Sequence, residues 1–207
     1  STVLKGSGVN LSIFQPTRQP EEAVFIMVGR LLADKGVREF IAASRLVKQE
    51  FPSAVFQLVG PFDENPDSIS EVTLKSWIEG ESVEYLGVLD DVRGALAGAS
   101  VFVLPSYREG TPRSTLEAMA MGRAIITTDA PGSRETVNNL VNGILVPVKS
   151  IEGLVVAMRT LILDPSLRAN MGRRSIERAR NEFDVVKVNA IMLSKMGVKD
   201  VNNNHFL

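Results

Sequence analysis

Two carboxylates, Glu109 and Glu117, lie within the segment 107–122, YREGTPRSTLEAMAMG. Glu109 falls in a turn punctuated by Gly110 and Pro112, just after an apolar run. Glu117 falls in the opening turns of the helix expected to follow. An ionised carboxylate only accepts hydrogen bonds, and its two oxygens suit the paired hydroxyls of a sugar ring or a ribose. Between the acids an expected helix start, with Thr111 as N-cap and Pro112 at the first helical position, offers free amides that attract phosphate. Phosphate flanked by two polyol-gripping acids suggests a sugar nucleotide. The competing reading is structural: Ser114-x-x-Glu117 has the form of a capping box, and Glu109 reads as a turn residue. Pro112, which supplies an earlier helix start, argues against the capping box.

The elements that must position these residues are legible as short apolar runs with helical patterns between them. Residues 23–29, 54–60, 83–87, 100–106, 124–128 and 143–148 read as strands. Most are apolar throughout, as in a parallel sheet covered on both faces. Val37, Phe40, Ile41, Ser44, Val47 and Phe51 share one helical face, with Pro52 as the stop. Helices are also expected over 90–99, 111–121, 150–163 and 166–183. This alternation predicts an α/β fold, a doubly wound, Rossmann-like parallel sheet of six strands in the order 3-2-1-4-5-6. Ligands of such sheets bind beyond the carboxyl ends of the strands at the switch point, here between strands 1 and 4. The loop after strand 1, Gly29-Arg30-Leu31-Leu32-Ala33-Asp34-Lys35-Gly36, should therefore face the turn carrying Glu109. Arg30 offers a planar fork and Lys35 a mobile point charge for a diphosphate. Gly29 permits close backbone approach, and Gly36 opens the helix beneath Lys35. Alternatively both cations are solvated and Asp34 caps the helix; position at the switch point favours ligand binding.

Composition removes whole classes of chemistry. The 207 residues are 44% hydrophobic, enough for a real core, and the net charge of −1 argues against a nucleic-acid surface. There is no cysteine, which excludes disulfides, thiolate metal sites and cysteine nucleophiles, and fits a reducing cytoplasm. The one histidine, His205, sits in a polar tail, so histidine-based catalysis and metal clusters have nothing to work with in the folded body. No apolar stretch approaches the ~20 residues of a membrane span, and no signal-peptide pattern opens the chain. Gly6-Ser7-Gly8 resembles the start of a dinucleotide fingerprint, but Leu11 occupies the third glycine position; it reads as linker with a phosphate-facing option. Arg168, Arg173, Arg174, Arg178 and Arg180 alternate with apolar and acidic residues and read as the solvated face of an amphipathic helix. A start at Ser1, in what reads as linker, implies a fragment of a longer protein.

Together these motifs resemble one known family. Glu109…Glu117, with Gly110 and Ala118-Met119-Ala120-x-Gly122, is similar to the paired-glutamate signature of GT-B retaining glycosyltransferases of the family 4 type. Val28-Gly29-Arg30-Leu31…Lys35-Gly36 resembles that family's diphosphate loop. Pro131-Gly132-Ser133-x-Glu135 and Asn142-Gly143-x-Leu145-Val146 match later landmarks, and Gly6-Ser7-Gly8-Val9-Asn10…Phe14 is similar to the hinge entering its second domain. The resemblance, nearly continuous to Phe183, implies a linker over 1–22, a donor-binding domain over 23–183 and a tail over 184–207. The tail's apolar residues would pack back across the first domain.

It further implies that Arg30 and Lys35 bind the donor diphosphate, Glu117 the ribose diol and Glu109 the transferred sugar. Gly29, Gly110, Thr111, Pro112 and Arg113 would line the donor, with 60–62 and 87–89 flanking the base. Glu109, Arg30 and Lys35 are thus the catalytic candidates, with no metal and no cofactor beyond the donor as substrate. The implied reaction transfers a hexose or N-acetylhexosamine, from a UDP-sugar, to a glycan or lipid-linked acceptor held by an absent N-terminal domain. Surface-polysaccharide or lipid-linked oligosaccharide synthesis is the implied setting, in the cytoplasm or peripheral to the inner face of the membrane. Other readings of the scaffold are a sugar-nucleotide epimerase half, a pyridoxal-phosphate phosphorylase and a non-catalytic nucleotide-binding module. A phosphorylase needs a Schiff-base lysine and an epimerase extra acid/base groups, and neither is evident.

Overall fold

In a computed structural model, residues 8–80 and 82–195 are described. His205 and the first two residues of Gly6-Ser7-Gly8 lie outside them. Six strands form one sheet: β1 (Val24–Val28), β2 (Val55–Val59), β3 (Glu84–Tyr85), β4 (Val101–Leu104), β5 (Ala124–Thr128) and β6 (Gly143–Val146). Their order is β3-β2-β1-β4-β5-β6, and every neighbouring pair is parallel, as the sequence predicts. β1, β4 and β5 are buried along their whole length, which is why their sequences do not alternate. Phe25 and Phe56 stack across β1 and β2 at 5.1 Å, with Phe40 edge-on to Phe56 at 6.3 Å.

Several strands are shorter than their apolar runs, for identifiable reasons. β4 stops at Leu104 because Pro105 has no amide for the ladder, and β6 stops before Pro147 for the same reason. β3, expected over 83–87, keeps only two residues; it is an edge strand paired with β2 alone, and Gly87 turns away at φ 75°.

Helices α1 (Val37–Glu50), α2 (Glu71–Ile78), α3 (Arg93–Ala97), α4 (Arg113–Ala120), α5 (Ile151–Leu163), α6 (Pro165–Glu182) and α7 (Val185–Lys195) cover the sheet. The sequence pattern does not single out α2, because only Leu74 of it is buried. Its one local signal is Ser70, whose hydroxyl accepts from the Thr73 amide at 3.1 Å. α3 is shorter than the expected 90–99: the Asp91 carboxylate takes the Arg93 amide at 3.0 Å, an Asx turn in place of a helical turn.

The arginine-rich helix α6 is not a uniformly solvated face. Arg173, Arg174 and Arg180 are exposed, but Arg168 is buried and donates to the carbonyls of Leu161 at 2.9 Å and Glu21 at 2.6 Å. Arg178 is also largely covered, donating to the Glu135 carbonyl at 2.8 Å with Glu182 alongside at 3.5 Å. Guanidinium groups with rigid donor forks can serve carbonyls in this way, which periodicity cannot distinguish from a wet face. A third buried guanidinium, Arg123, donates to the carbonyls of Ala97, Ala99, Met121 and Thr17, and so ties the entering segment to the sheet. The same segment joins the chain's last described elements through Val9, whose amide donates to the Phe183 carbonyl at 2.7 Å while its carbonyl accepts from the Val185 amide at 3.0 Å. The start of the 184–207 tail is thus helical, with Val188 buried.

Candidate functional site

The β1–α1 and β4–α4 loops meet beyond the carboxyl ends of their adjacent strands. β1 and β4 are neighbours, and the Tyr107 amide donates to the Asp34 carbonyl at 2.8 Å. Gly36 makes the junction possible: it adopts φ 75°, and a side chain there would run into the Pro105 carbonyl. Lys35 sits just before it, at the end of a 3-10 turn, Ala33–Lys35.

Lys35 and Glu109 are in direct contact. The Lys35 Nζ donates to Glu109 Oε1 at 2.5 Å, and the Ser106 hydroxyl donates to the same oxygen at 2.8 Å. Side-chain exposure is 16% for Lys35 and 12% for Glu109, so the pair lies mostly out of water. The turn carrying Glu109 is fixed from behind by Gly132. It has φ 83°, and any side chain would strike the Glu109 and Gly110 carbonyls. The Glu109 amide donates to the Pro131 carbonyl at 3.2 Å. This gives the Pro131-Gly132-Ser133 motif a physical role beside the first glutamate.

α4 begins one residue later than expected. Pro112 is the N-cap, in extended conformation at ψ 116°, Arg113 is the first helical residue, and no side chain caps the end. Thr111 is therefore not the cap. Pro112 suits the position because its carbonyl opens the ladder, accepting from the Leu116 amide at 3.3 Å, while its missing amide is not needed. The amides of Arg113, Ser114 and Thr115 precede that first bond and are free of intrahelical partners. Since the helix has already started, Ser114 and Glu117 do not form a capping box.

Glu117 contrasts with Glu109. It is half-buried, and burial raises its carboxyl above the usual range, only partly offset by Arg113. It borders an open cleft of about 450 Å³ shared with Ile13, Phe14, Asp90 and Val92. At the rim, Arg93 grips Asp91 at 2.7 Å and lowers that carboxyl to about 2.

Arg30 does not join Lys35. It is exposed and donates to Asp63 Oδ2 at 2.9 Å, in the loop after β2. Asp63 is held below the usual carboxylate range by the Asn65 amide and then by Arg30. Asp34 is no helix cap either; it lies inside the 3-10 turn, 3.8 Å from Arg108 Nε. The segments 60–62 and 87–89 do come together. The Gly60 amide donates to the Gly87 carbonyl at 2.9 Å, the Tyr85 hydroxyl to the Gly60 carbonyl at 2.8 Å, and Phe62 lies edge-on to Tyr85 at 5.7 Å.

Three residues at the site escape sequence reasoning. Ser106 shares the Glu109 oxygen. The Tyr107 hydroxyl donates to Glu39 Oε1 at 2.8 Å, and burial followed by that contact pushes it up to about 12. Lys149, at φ 61°, lays its ammonium 4.8 Å from the Tyr107 ring centre. No spacing rule links Lys149, in the loop after β6, with Ser106 and Tyr107, in the loop after β4; only the topology brings them together.

Comparison with known proteins adds an independent line. The model for glycosyl transferases group 1 matches residues 10–178. The chain is 34% identical over 191 residues to the N,N'-diacetylbacillosaminyl-diphospho-undecaprenol alpha-1,3-N-acetylgalactosaminyltransferase of Campylobacter jejuni, covering 86% of this chain and 49% of that one. It thus spans about half the length of that relative. Anabaena HepE, solved in complex with UDP, superposes with a TM-score of 0.81 at 23% identity, over 93% of this chain and 56% of that one. The C-terminal domain of a group 1 glycosyl transferase, LpcC, from Francisella tularensis superposes with a TM-score of 0.73 at 23% identity. That likeness covers 86% of this chain and 99% of the solved domain.

Proposed function

The chain belongs to the glycosyl transferases group 1 family, and from that premise we propose that it binds the nucleotide-sugar donor of a retaining glycosyltransferase. One observation carries the reading: Lys35 pairs with Glu109 in the turn just before the open α4 N-terminus, at the switch point of the sheet, while Glu117 lies half-buried within α4. In this reading the diphosphate lies over the amides of α4 with Lys35 as counter-ion. Glu109 accepts hydroxyls of the transferred sugar, and Glu117 accepts the ribose diol. Gly29, Gly110, Thr111, Pro112 and Arg113 line the donor, and Arg30 reaches it by leaving Asp63.

As the glycosidic bond breaks, negative charge grows on the departing diphosphate. Lys35, Arg30 and the helix amides stabilise it electrostatically, in place before the reaction begins. Neither glutamate is asked to move a proton. The donor is assigned as a UDP-hexose or UDP-N-acetylhexosamine. The relative's name, an N-acetylgalactosaminyltransferase, and the UDP bound to HepE support this. The acceptor is assigned as a lipid-linked or growing glycan, supported by the diphospho-undecaprenol in the same relative's name. It would be held by a second domain, with the reaction at the cytoplasmic face of a membrane. Among the described residues, no helix is long and apolar enough to cross one.

Calorimetric titration of the chain with UDP, GDP and ADP and their hexose conjugates, with and without EDTA, tests the reading. We expect one nucleotide class to bind regardless of EDTA, and Lys35→Ala and Glu117→Ala each to weaken it. If every nucleoside diphosphate is ignored at millimolar concentration and low salt, the donor-binding assignment fails.

A further inference from the structure

The Lys35–Glu109 pair has a consequence that depends on the donor-binding reading above. Both Lys35 and Ser106 donate to one oxygen of Glu109, and the two ions are shielded from water together. Neither ion can be stripped of its partner cheaply, because an uncompensated charge at such exposure loses both hydration and its counter-ion. A ligand that draws Lys35 away must therefore provide for Glu109 as well.

An intact nucleotide sugar does so. Its diphosphate oxygens take the lysine, and its sugar hydroxyls donate to the glutamate, so both groups end with partners. A spent nucleoside diphosphate carries the phosphate alone. It must either compete with Glu109 for Lys35 or leave the carboxylate with only the Ser106 hydroxyl, without a counter-ion and beside a second anion, where like charges repel. We propose that Glu109 is a specificity-determining residue that discriminates against the spent nucleotide, so that the site holds the intact donor and releases the product. The glutamate then serves both stages of a cycle: it grips the sugar on entry and reclaims the lysine after transfer.

This makes an unusual demand on mutants: removing a residue that binds the donor should improve binding of the product. Glu109→Gln keeps the shape and still offers Lys35 and Ser106 an amide oxygen, while abolishing the charge. We expect UDP to bind Glu109→Gln about 3- to 10-fold more tightly than the unaltered protein, the range set by a largely covered ion pair. UDP-N-acetylgalactosamine and UDP-glucose should lose their advantage over UDP. Glu109→Ala should tighten UDP in the same direction, and Glu109→Asp, which keeps the charge, should not. The titrations run in parallel with GDP and ADP and their hexose conjugates, so that the class that binds is the one compared. If the unaltered protein binds a nucleoside diphosphate and both charge-removing variants bind it equally or more weakly, this proposal is overturned and donor binding stands. If the unaltered protein binds none, donor binding falls and this proposal falls with it.

Discussion

Glu109 and Glu117 flank the same helix start yet sit in opposite states. Glu109 is saturated on one oxygen by a lysine and a serine, in a turn clamped by Gly132. Glu117 has burial without a strong counter-ion, and its carboxyl is pushed up accordingly. The difference teaches that, in the proposed donor site, Glu109 must exchange partners to admit a ligand, whereas Glu117 gains one. A group that exchanges partners sets selectivity between ligands; a buried carboxylate without a strong counter-ion costs the fold some stability.

The largest change that would break this contrast is Lys35→Ala. It strands the Glu109 carboxylate with only Ser106, which should cost about 1–3 kcal/mol of stability in urea titrations. Loss of the proposed diphosphate counter-ion should weaken nucleotide binding by about 10- to 100-fold. Gly132→Ala strikes Glu109 through the backbone. At φ 83°, with the Glu109 and Gly110 carbonyls in the way, it should destabilise by about 1–2 kcal/mol and reduce sugar-dependent binding more than UDP binding.

Glu117→Gln should stabilise the chain while weakening nucleotide binding. The sign follows from proton uptake. The folded carboxyl ionises at higher pH than the unfolded one, so between those two values the fold holds the extra proton. Stability therefore falls as pH rises through that window, and the penalty is complete above it. The gain in melting temperature from Glu117→Gln should grow as pH rises through that window and vanish well below the ordinary glutamate pKa of about 4.3, where both states are protonated. The smallest effect is expected for Tyr107→Phe. It removes the hydrogen bond from the Tyr107 hydroxyl to the carboxylate of buried Glu39 and should cost about 1 kcal/mol.

The fold was legible because its signals are local and repeated. Apolar runs with helical patterns between them, and the α1 stripe ending at Pro52, give the strand and helix order directly. The switch-point rule then brings the Lys35 and Glu109 loops together, and the structure pairs them. What escaped is set by long-range packing. α2 has too thin an apolar stripe, with Leu74 its one buried residue, to stand out from loop sequence. Arg168 and Arg178 sit at positions that alternate like a wet face, and only their carbonyl partners on distant segments show otherwise. Sequence proximity groups Arg30 with Lys35, but Asp63, on another loop, takes it. The start of α4 moved by one residue because a proline serves as a cap as well as it does at the first helical position.

A crystal structure of the chain with a UDP-sugar bound bears most directly on the contrast between the two acids. Lys35 should have left Glu109 for the diphosphate, with sugar hydroxyls donating to Glu109 and the ribose diol to Glu117. A nucleotide bound elsewhere, or bound here with the Lys35–Glu109 pair intact and Glu117 untouched, would refute that division of labour.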